Sequence, residues 1–351
     1  MCFAFIVMIV KEGGICCYSI IFVLNRIVML CSVHFLLLVR RVADMDVAPI
    51  ALFVYKRLEH TKSTIKSLQA NDLAKKSKLY IFSDAEKNVE DTIYVREVRR
   101  YISEIDGFKS IEVVKAGKNM GLANSIISGV TRVVKEHGKV IVLEDDMLVS
   151  QFFLDYMNRA LKKYAVEKMV FSIHGYMYPV SCDLPETFFM EGADCWGWAT
   201  WLDRWQYFEA DANLLLEDIK RRNLQFDFDI RGSFPFTNML HRQGKGAIDS
   251  WAIRWRASVF LRGGLTLWPA RSLVKNIGLD GTGEHCHSNN RYDVELSEVE
   301  VQLVDVPIQA SKQAEECLAQ YFRDIKPGIF FSLKRAFRRI TRAIFHNAGC
   351  L

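Results

Sequence analysis

Val140-Ile141-Val142-Leu143-Glu144-Asp145-Asp146-Met147 sets three acids directly after four consecutive apolar residues. A short apolar run of this kind, rich in valine and isoleucine, reads as a strand buried on both faces. Burying one unpaired carboxylate is costly, so three together call for a compensating cation or a wet cleft. In open α/β sheets the ligand crevice lies beyond the carboxyl ends of the strands, where this reading puts Glu144, Asp145 and Asp146. Hard divalent cations such as Mg2+ and Mn2+ take carboxylate oxygens and share their coordination with substrate phosphates. The plainer alternative is a solvated strand-to-helix turn, with Asp146 or Ser150 capping the next helix.

The surrounding pattern supports the strand. Residues 50–55 form an earlier apolar run, followed by a helix with Thr61 as a cap and Ile65 and Leu68 on its inner face. Residues 79–82 and 111–114 read as two more strands. Val95, Val98, Ile102 and Ile105 have helical spacing, and Leu122, Ile126, Val130, Val133 and Val134 mark another buried helix face. Phe153, Tyr156, Met157 and Ala160 begin the helix after the acids. Strand and helix alternate four times, which predicts an α/β fold with a Rossmann-like, mostly parallel, doubly wound sheet. No GxxxxGK[ST] occurs and no GxGxxG follows a strand, which disfavours a P-loop NTPase and a dinucleotide dehydrogenase.

Three further positions fall at strand or helix ends. Arg57 follows the first strand and suits a phosphate. Asp84 follows the second and suits a base or ribose donor. Asn119 opens the third helix, where an N-terminus favours anions. Any one of these is more often an ordinary loop residue. The second half is different in kind. All seven tryptophans lie between Trp196 and Trp268. Asp249 stands beside Trp251, and Trp196 and Trp198 flank Gly197. Aromatic faces stack on sugar rings and a carboxylate can take a hydroxyl proton. The alternative is core tryptophans with a surface acid. Residues 278–287 form a glycine-rich loop ending in His285-Cys286-His287. These ligands are too close together to complete a zinc site. A lid lending His285 to the phosphates or metal competes with a plain loop.

Of 351 residues, 50% are hydrophobic and 25% charged, the balance of a folded globular chain. The net charge is +5, but residues 325–351 carry six basic residues and no acid. The positive charge belongs to the tail, which argues against a body that grips nucleic acid. Phe330, Leu333, Phe337, Ile340 and Ile344 give that tail one apolar helical stripe, with Lys334, Arg335, Arg338, Arg339 and Arg342 around it. Such a helix suits an anionic membrane surface, and an ordinary docking helix is the alternative. Residues 1–44 are strongly apolar but broken by Arg26 and closed by Arg40-Arg41. A signal-anchor, a signal peptide and a start at Met45 compete. The nine cysteines show no CxxC pair, so the body is expected to be reduced and cytoplasmic, peripheral to the inner membrane face.

With these motifs in place, ALFVYKR, FSDAEK, LEDDM, CWGWATW, DSWAIRW and NIGLDGTGEHC, the chain resembles a nucleotide-sugar-dependent glycosyltransferase of the GT-A fold. It is most similar to bacterial relatives of the N-acetylglucosaminyltransferase I family, over residues 49–287. The resemblance implies that Asp146 ligates Mn2+ or Mg2+. It places Glu144, Asp145, Arg57 and Asp84 on a UDP-type donor; Asn119 joins them by its place at the start of the third helix, and Trp196, Trp198 and Trp251 are set on acceptor or sugar by the aromatic pattern itself. It makes Asp249 the general base, although Ser250 stands where the family has a second acid. It implies inverting transfer to a glycan or lipid-linked acceptor. The expected divisions are residues 1–44, a nucleotide-sugar half at 45–150, an acceptor half at 151–310 and a basic tail at 311–351. A metal-dependent phosphoryl-transfer enzyme and an inactive carbohydrate-binding module remain as alternatives.

Overall fold

A computed structural model describes residues 47–280 and 290–325. The expectations for the leader, the residues 281–289 that include His285, and the basic tail helix from residue 326 fall outside these. Among the described residues no helix is long and apolar enough to cross a membrane.

The alternation read from the sequence is present: β1 (Ile50–Val54), α1 (Leu58–Gln69), β2 (Lys78–Ser83), α2 (Thr92–Ile102), β3 (Ser110–Lys115), α3 (Leu122–His137) and β4 (Lys139–Glu144). Every residue of β1 is buried, as its unbroken apolar run requires. Helix α3 turns Ile126, Val130, Val133 and Val134 inward and ends at Gly138 in the left-handed conformation. Two local expectations are corrected. Arg57, not Thr61, is the N-cap of α1, and Thr61 lies one turn in, its hydroxyl donating to the Arg57 carbonyl at 2.8 Å. Leu122, the first residue of α3, is exposed and lies off the helix's buried stripe.

After β4 the chain does not enter a helix at once. A short β5 (Met147–Val149) comes first, then α4 (Phe153–Lys163), β6 (Val170–His174), β7 (Thr187–Glu191) and β8 (Trp198–Trp201). Helices α5 (Leu202–Trp205), α6 (Ala212–Arg221), α7 (Gln225–Phe228), α8 (Phe236–Gly244) and α9 (Trp251–Phe260) precede β9 (Leu265–Pro269) and β10 (Val274–Asn276), and α10 (Lys312–Asp324) follows.

Eight strands form one sheet in the order β3-β2-β1-β4-β8-β6-β9-β7. The first four are mutually parallel, and β8 and β7 run against their neighbours. The aromatic half therefore continues the sheet. Strand order reverses between β1 and β4, the switch point at which such sheets open a crevice. Separately, β5 pairs antiparallel with β10 and bends the chain back over the end of β4.

Two cysteines correct the expectation of a reduced body. Cys182 and Cys317 form a disulfide with Cα atoms 6.3 Å apart, fastening α10 to the connection between β6 and β7.

Candidate active site

β1 and β4 are parallel neighbours in register, with Phe53 opposite Glu144. Whatever follows the two strands must therefore meet at one edge of the sheet. Arg57 follows β1, and Asp145 and Asp146 follow β4. The Arg57 guanidinium donates to Oδ1 of Asp145 and, at 2.7 Å, to Oδ2 of Asp146. Burial disfavours the Arg57 charge, but Asp145 and Asp146 outweigh it and raise the guanidinium above its ordinary pKa.

The acids are held from several sides. Oδ2 of Asp145 accepts the Tyr55 amide at 3.3 Å, and the Asp145 carbonyl accepts the Thr64 hydroxyl of α1 at 2.9 Å. The Asp146 carbonyl accepts the Ile277 amide at 2.9 Å, a bond set up by the β5–β10 pairing. This brings Gly278 onto the carboxylate. A Cβ there would stand 2.1 Å from Oδ2 of Asp146 and 2.9 Å from Arg57 Nη1, so only glycine fits. Asp280, two residues on, meets His60 of α1 at 3.2 Å.

The three acids are not equivalent. Both oxygens of Asp145 are engaged. Oδ1 of Asp146 is buried and has no hydrogen-bond partner. Glu144 is half-buried, and burial, then the charges of Asp146 and Asp145, push its carboxyl up to about 8. A buried carboxylate oxygen without a donor is costly unless a cation meets it. Among the described residues no group of three or more His, Cys, Asp or Glu side chains converges as a cage. One free oxygen fits a hard divalent cation that keeps substrate phosphates and water as its other ligands.

The structure gathers Asp84, Asn119 and Asp249 at the start of α3. Asp84 is buried, and its carboxylate accepts the amides of Ala85 and Met120 at 2.9 Å and of Gly121 at 2.9 Å. Asn119 Nδ2 donates to the Ala85 carbonyl at 2.7 Å. Asp84 thus fixes the turn into α3, in which Gly121 has φ +74°. With its oxygens bound to amides, Asp84 does not offer the second-metal carboxylate that a two-metal phosphoryl-transfer site needs. Asp249 comes to the same turn from α9. A Cβ on Gly121 would stand 3.9 Å from Asp249 Oδ2, and Oδ1 accepts from Arg254 at 3.2 Å. The Asp249 side chain is 58% exposed. Ser250 caps α9 by accepting the Ile253 amide.

The tryptophans divide. Trp198 is 0% and Trp251 3% exposed; their rings stack on each other at 5.2 Å, with Trp205 and Trp255 packed around them. This corrects their reading as sugar contacts: the faces are covered by other rings, and β8 beside β4 needs that filling. Trp196 is half-buried and stands against Tyr176 and Tyr292. The sequence reading missed Gly278, whose signal was a glycine opening the glycine-rich loop, and Asp194, which neighbours Cys195 and Trp196 in the connection from β7 to β8.

No family model matches the chain, and no curated protein matches it. Solved structures similar to it include S. aureus TarS residues 1–349, at 8% identity and TM-score 0.37, covering 64% of this chain and 59% of that one. A second TarS structure, at 12% identity and TM-score 0.38, is covered over 36% of its length. The mannosyltransferase PcManGT from Pyrobaculum calidifontis, in complex with GDP-Man and Mn2+, is similar at 16% identity and TM-score 0.27, over 42% of this chain and 45% of that one. The chain thus spans less than two thirds of each of these proteins.

Proposed function

We propose that this chain is a metal-dependent inverting glycosyltransferase that moves a sugar from a UDP-type donor to a hydroxyl of a glycan or lipid-linked acceptor. The observation that carries the reading is the strand-end cluster: Arg57 bound to Asp145 and Asp146, with one buried Asp146 oxygen left without a donor. Asp146 would hold Mn2+ or Mg2+ through that oxygen. When bound, the cation supplies charge that stabilises a departing diphosphate. Arg57 lies where its guanidinium would bind the same phosphates, in the bidentate manner arginine favours. Asn119 and the first turn of α3 would meet the donor from the side that Asp84 holds in place.

Asp249 is the base in this reading. It is exposed, borders the α3 turn, and is oriented by Arg254. Removing an acceptor proton there would allow direct attack on the anomeric carbon, which inverts it. The resemblance to relatives of N-acetylglucosaminyltransferase I favours an N-acetylhexosamine or hexose donor. The basic residues at 326–342 would hold the enzyme at an anionic membrane surface, where a lipid-linked acceptor resides.

The test is calorimetry of the full chain against UDP, GDP and CMP, with and without Mn2+. Wild type should bind UDP in a Mn2+-dependent way, and Asp146→Ala should lose that dependence while melting cooperatively. Equal nucleotide affinity in wild type with and without Mn2+, unchanged in the variant, would remove the metal assignment.

A further inference from the structure

Asp194 is half-buried between β7 and β8. Its Oδ1 accepts the Cys195 amide at 2.7 Å and its Oδ2 accepts the Tyr178 hydroxyl at 3.2 Å. A carboxylate has about four lone-pair sites, so these two bonds leave acceptor capacity on both oxygens.

The rings near this acid meet one another edge-on. Trp196 meets Tyr176 at 4.7 Å and Tyr292 at 5.9 Å, and Tyr178 meets Tyr292 at 6.0 Å. The Tyr176 hydroxyl donates to the Tyr292 carbonyl at 2.8 Å and fastens the wall. Tyr176 is buried, while Tyr178, Trp196 and Tyr292 are half-buried and border solvent. A carboxylate beside partly open aromatic faces is the combination that receives a pyranose: the acid accepts its hydroxyls and the rings take its C–H face.

This turn also adjoins the acid triplet: β8 runs antiparallel to β4 with Trp198 opposite Val142, and a Cβ on Gly197 would stand 3.4 Å from Leu143 Cδ2, so the residues just before β8 lie at the end of β4 that carries the acids. The Cys195 thiol is held well above its ordinary pKa, by burial first and then by the charges of Asp194, Glu144 and Asp146. In a nucleotide sugar the pyranose hangs directly on the distal phosphate. A carboxylate and rings beside the acids that would face the diphosphate are placed for the donor's own sugar, not for the acceptor's.

We propose that Asp194, oriented by Tyr178 and walled by Trp196, binds hydroxyls of the donor's pyranose and sets which sugar the enzyme accepts. The assignment rests on the nucleotide-sugar reading above.

The experiment is calorimetry of the full chain with Mn2+ against UDP and GDP, and against UDP-glucose, UDP-galactose, UDP-N-acetylglucosamine and GDP-mannose. Asp194→Asn keeps an acceptor for the Cys195 amide and removes the charge. It should leave the bare nucleotide within about twofold and weaken the preferred nucleotide sugar by roughly tenfold or more, the scale of a lost hydrogen bond to a charged group. Tyr178→Phe keeps the ring and removes the orienting hydroxyl; it should shift the same ratio severalfold in the same direction, and it carries the test if Asp194→Asn does not fold. An unchanged ratio of nucleotide-sugar to nucleotide affinity in the folded variants overturns the proposal. Equal losses for nucleotide and nucleotide sugar also overturn it, because they mark Asp194 as a purely structural residue. If wild type binds neither nucleotides nor nucleotide sugars, the nucleotide-sugar reading itself falls and this assignment falls with it.

Discussion

Replacing Glu144 with glutamine should make the metal-free protein more stable at alkaline pH and leave it unchanged in mild acid. Glu144 ends a buried strand beside two other acids, and its carboxyl is raised from 4.5 to about 8, by burial first and then by Asp146 and Asp145. A carboxyl whose folded pKa is raised contributes stability that is fully present below 4.5 and is lost as pH climbs through about 8. At ~1.4 kcal/mol per pKa unit the shift caps this loss near ~5 kcal/mol. Glu144 is only half-buried, and solvent screening brings the expected gain for Glu144→Gln at pH 8 to roughly 1–2 kcal/mol. For a chain of this size that is an increase in Tm of ~2–6 °C. The assay is thermal unfolding in EDTA, followed by circular dichroism at pH 4.5 and pH 8. The variant should unfold with wild type at pH 4.5 and above it at pH 8. The same difference at both pH values, or a lower Tm at pH 8, would show that Glu144 is not held against its charge, and the electrostatic account of the triplet would fail.

Asp249→Asn should lower kcat by roughly 10²–10⁴-fold with donor affinity nearly unchanged, as loss of a general base does; a fall in donor affinity with kcat intact would make Asp249 a donor ligand instead. His174→Phe should flatten acid unfolding. His174 is 0% exposed, and burial lowers its pKa to about 4. Its contribution is present above about 6.5 and is lost as pH falls through about 4, up to ~3 kcal/mol; an unchanged acid limb of the stability curve would refute this. Mn2+ binding with nucleotide at pH 7 should release protons from Glu144, read as a buffer-dependent calorimetric enthalpy. No buffer dependence would place the cation away from the triplet.

The half of the fold before residue 150 was legible because its strands are uniformly apolar and its helices keep one buried stripe. Physical reasoning then needed only parallel pairing to bring Arg57 to Asp145 and Asp146. What stayed hidden depends on contacts far apart in the chain. Met147–Val149 is too short to read as a strand until Val274–Asn276 pairs with it. That pairing alone lays Gly278 on Asp146, and no local pattern announces it. Cys182 and Cys317 are 135 residues apart, and irregular spacing carried no sign of their bond. Trp198 and Trp251 were misread for a related reason. A tryptophan next to glycine or acid has the same sequence whether its face meets a sugar or another indole, and packing against Trp205 and Trp255 decides it. Asp194 was overlooked because it stands alone in an aromatic stretch, and its meaning comes from Tyr178, sixteen residues earlier.

The geometry of Arg57 bears on the order in which ligands enter. Without ligands its guanidinium ties up Oδ2 of Asp146 and Oδ1 of Asp145, so a cation arriving alone finds one free Asp146 oxygen and a fixed positive charge beside it. That is a poor site for a bare divalent ion, which prefers several oxygens and no neighbouring cation. A diphosphate changes both terms. It gives Arg57 an alternative bidentate partner, which loosens its hold on Asp146, and it brings oxygens that complete the coordination. Cation and diphosphate should therefore enter together or with the nucleotide leading, each raising the affinity of the other by the same factor. The same balance accounts for Glu144. One arginine cannot neutralise three carboxylates, so the ligand-free site retains a proton where, on the proposed reading, a cation would sit. Arg57 and that proton together offset the charge of the acidic strand end in the ligand-free protein.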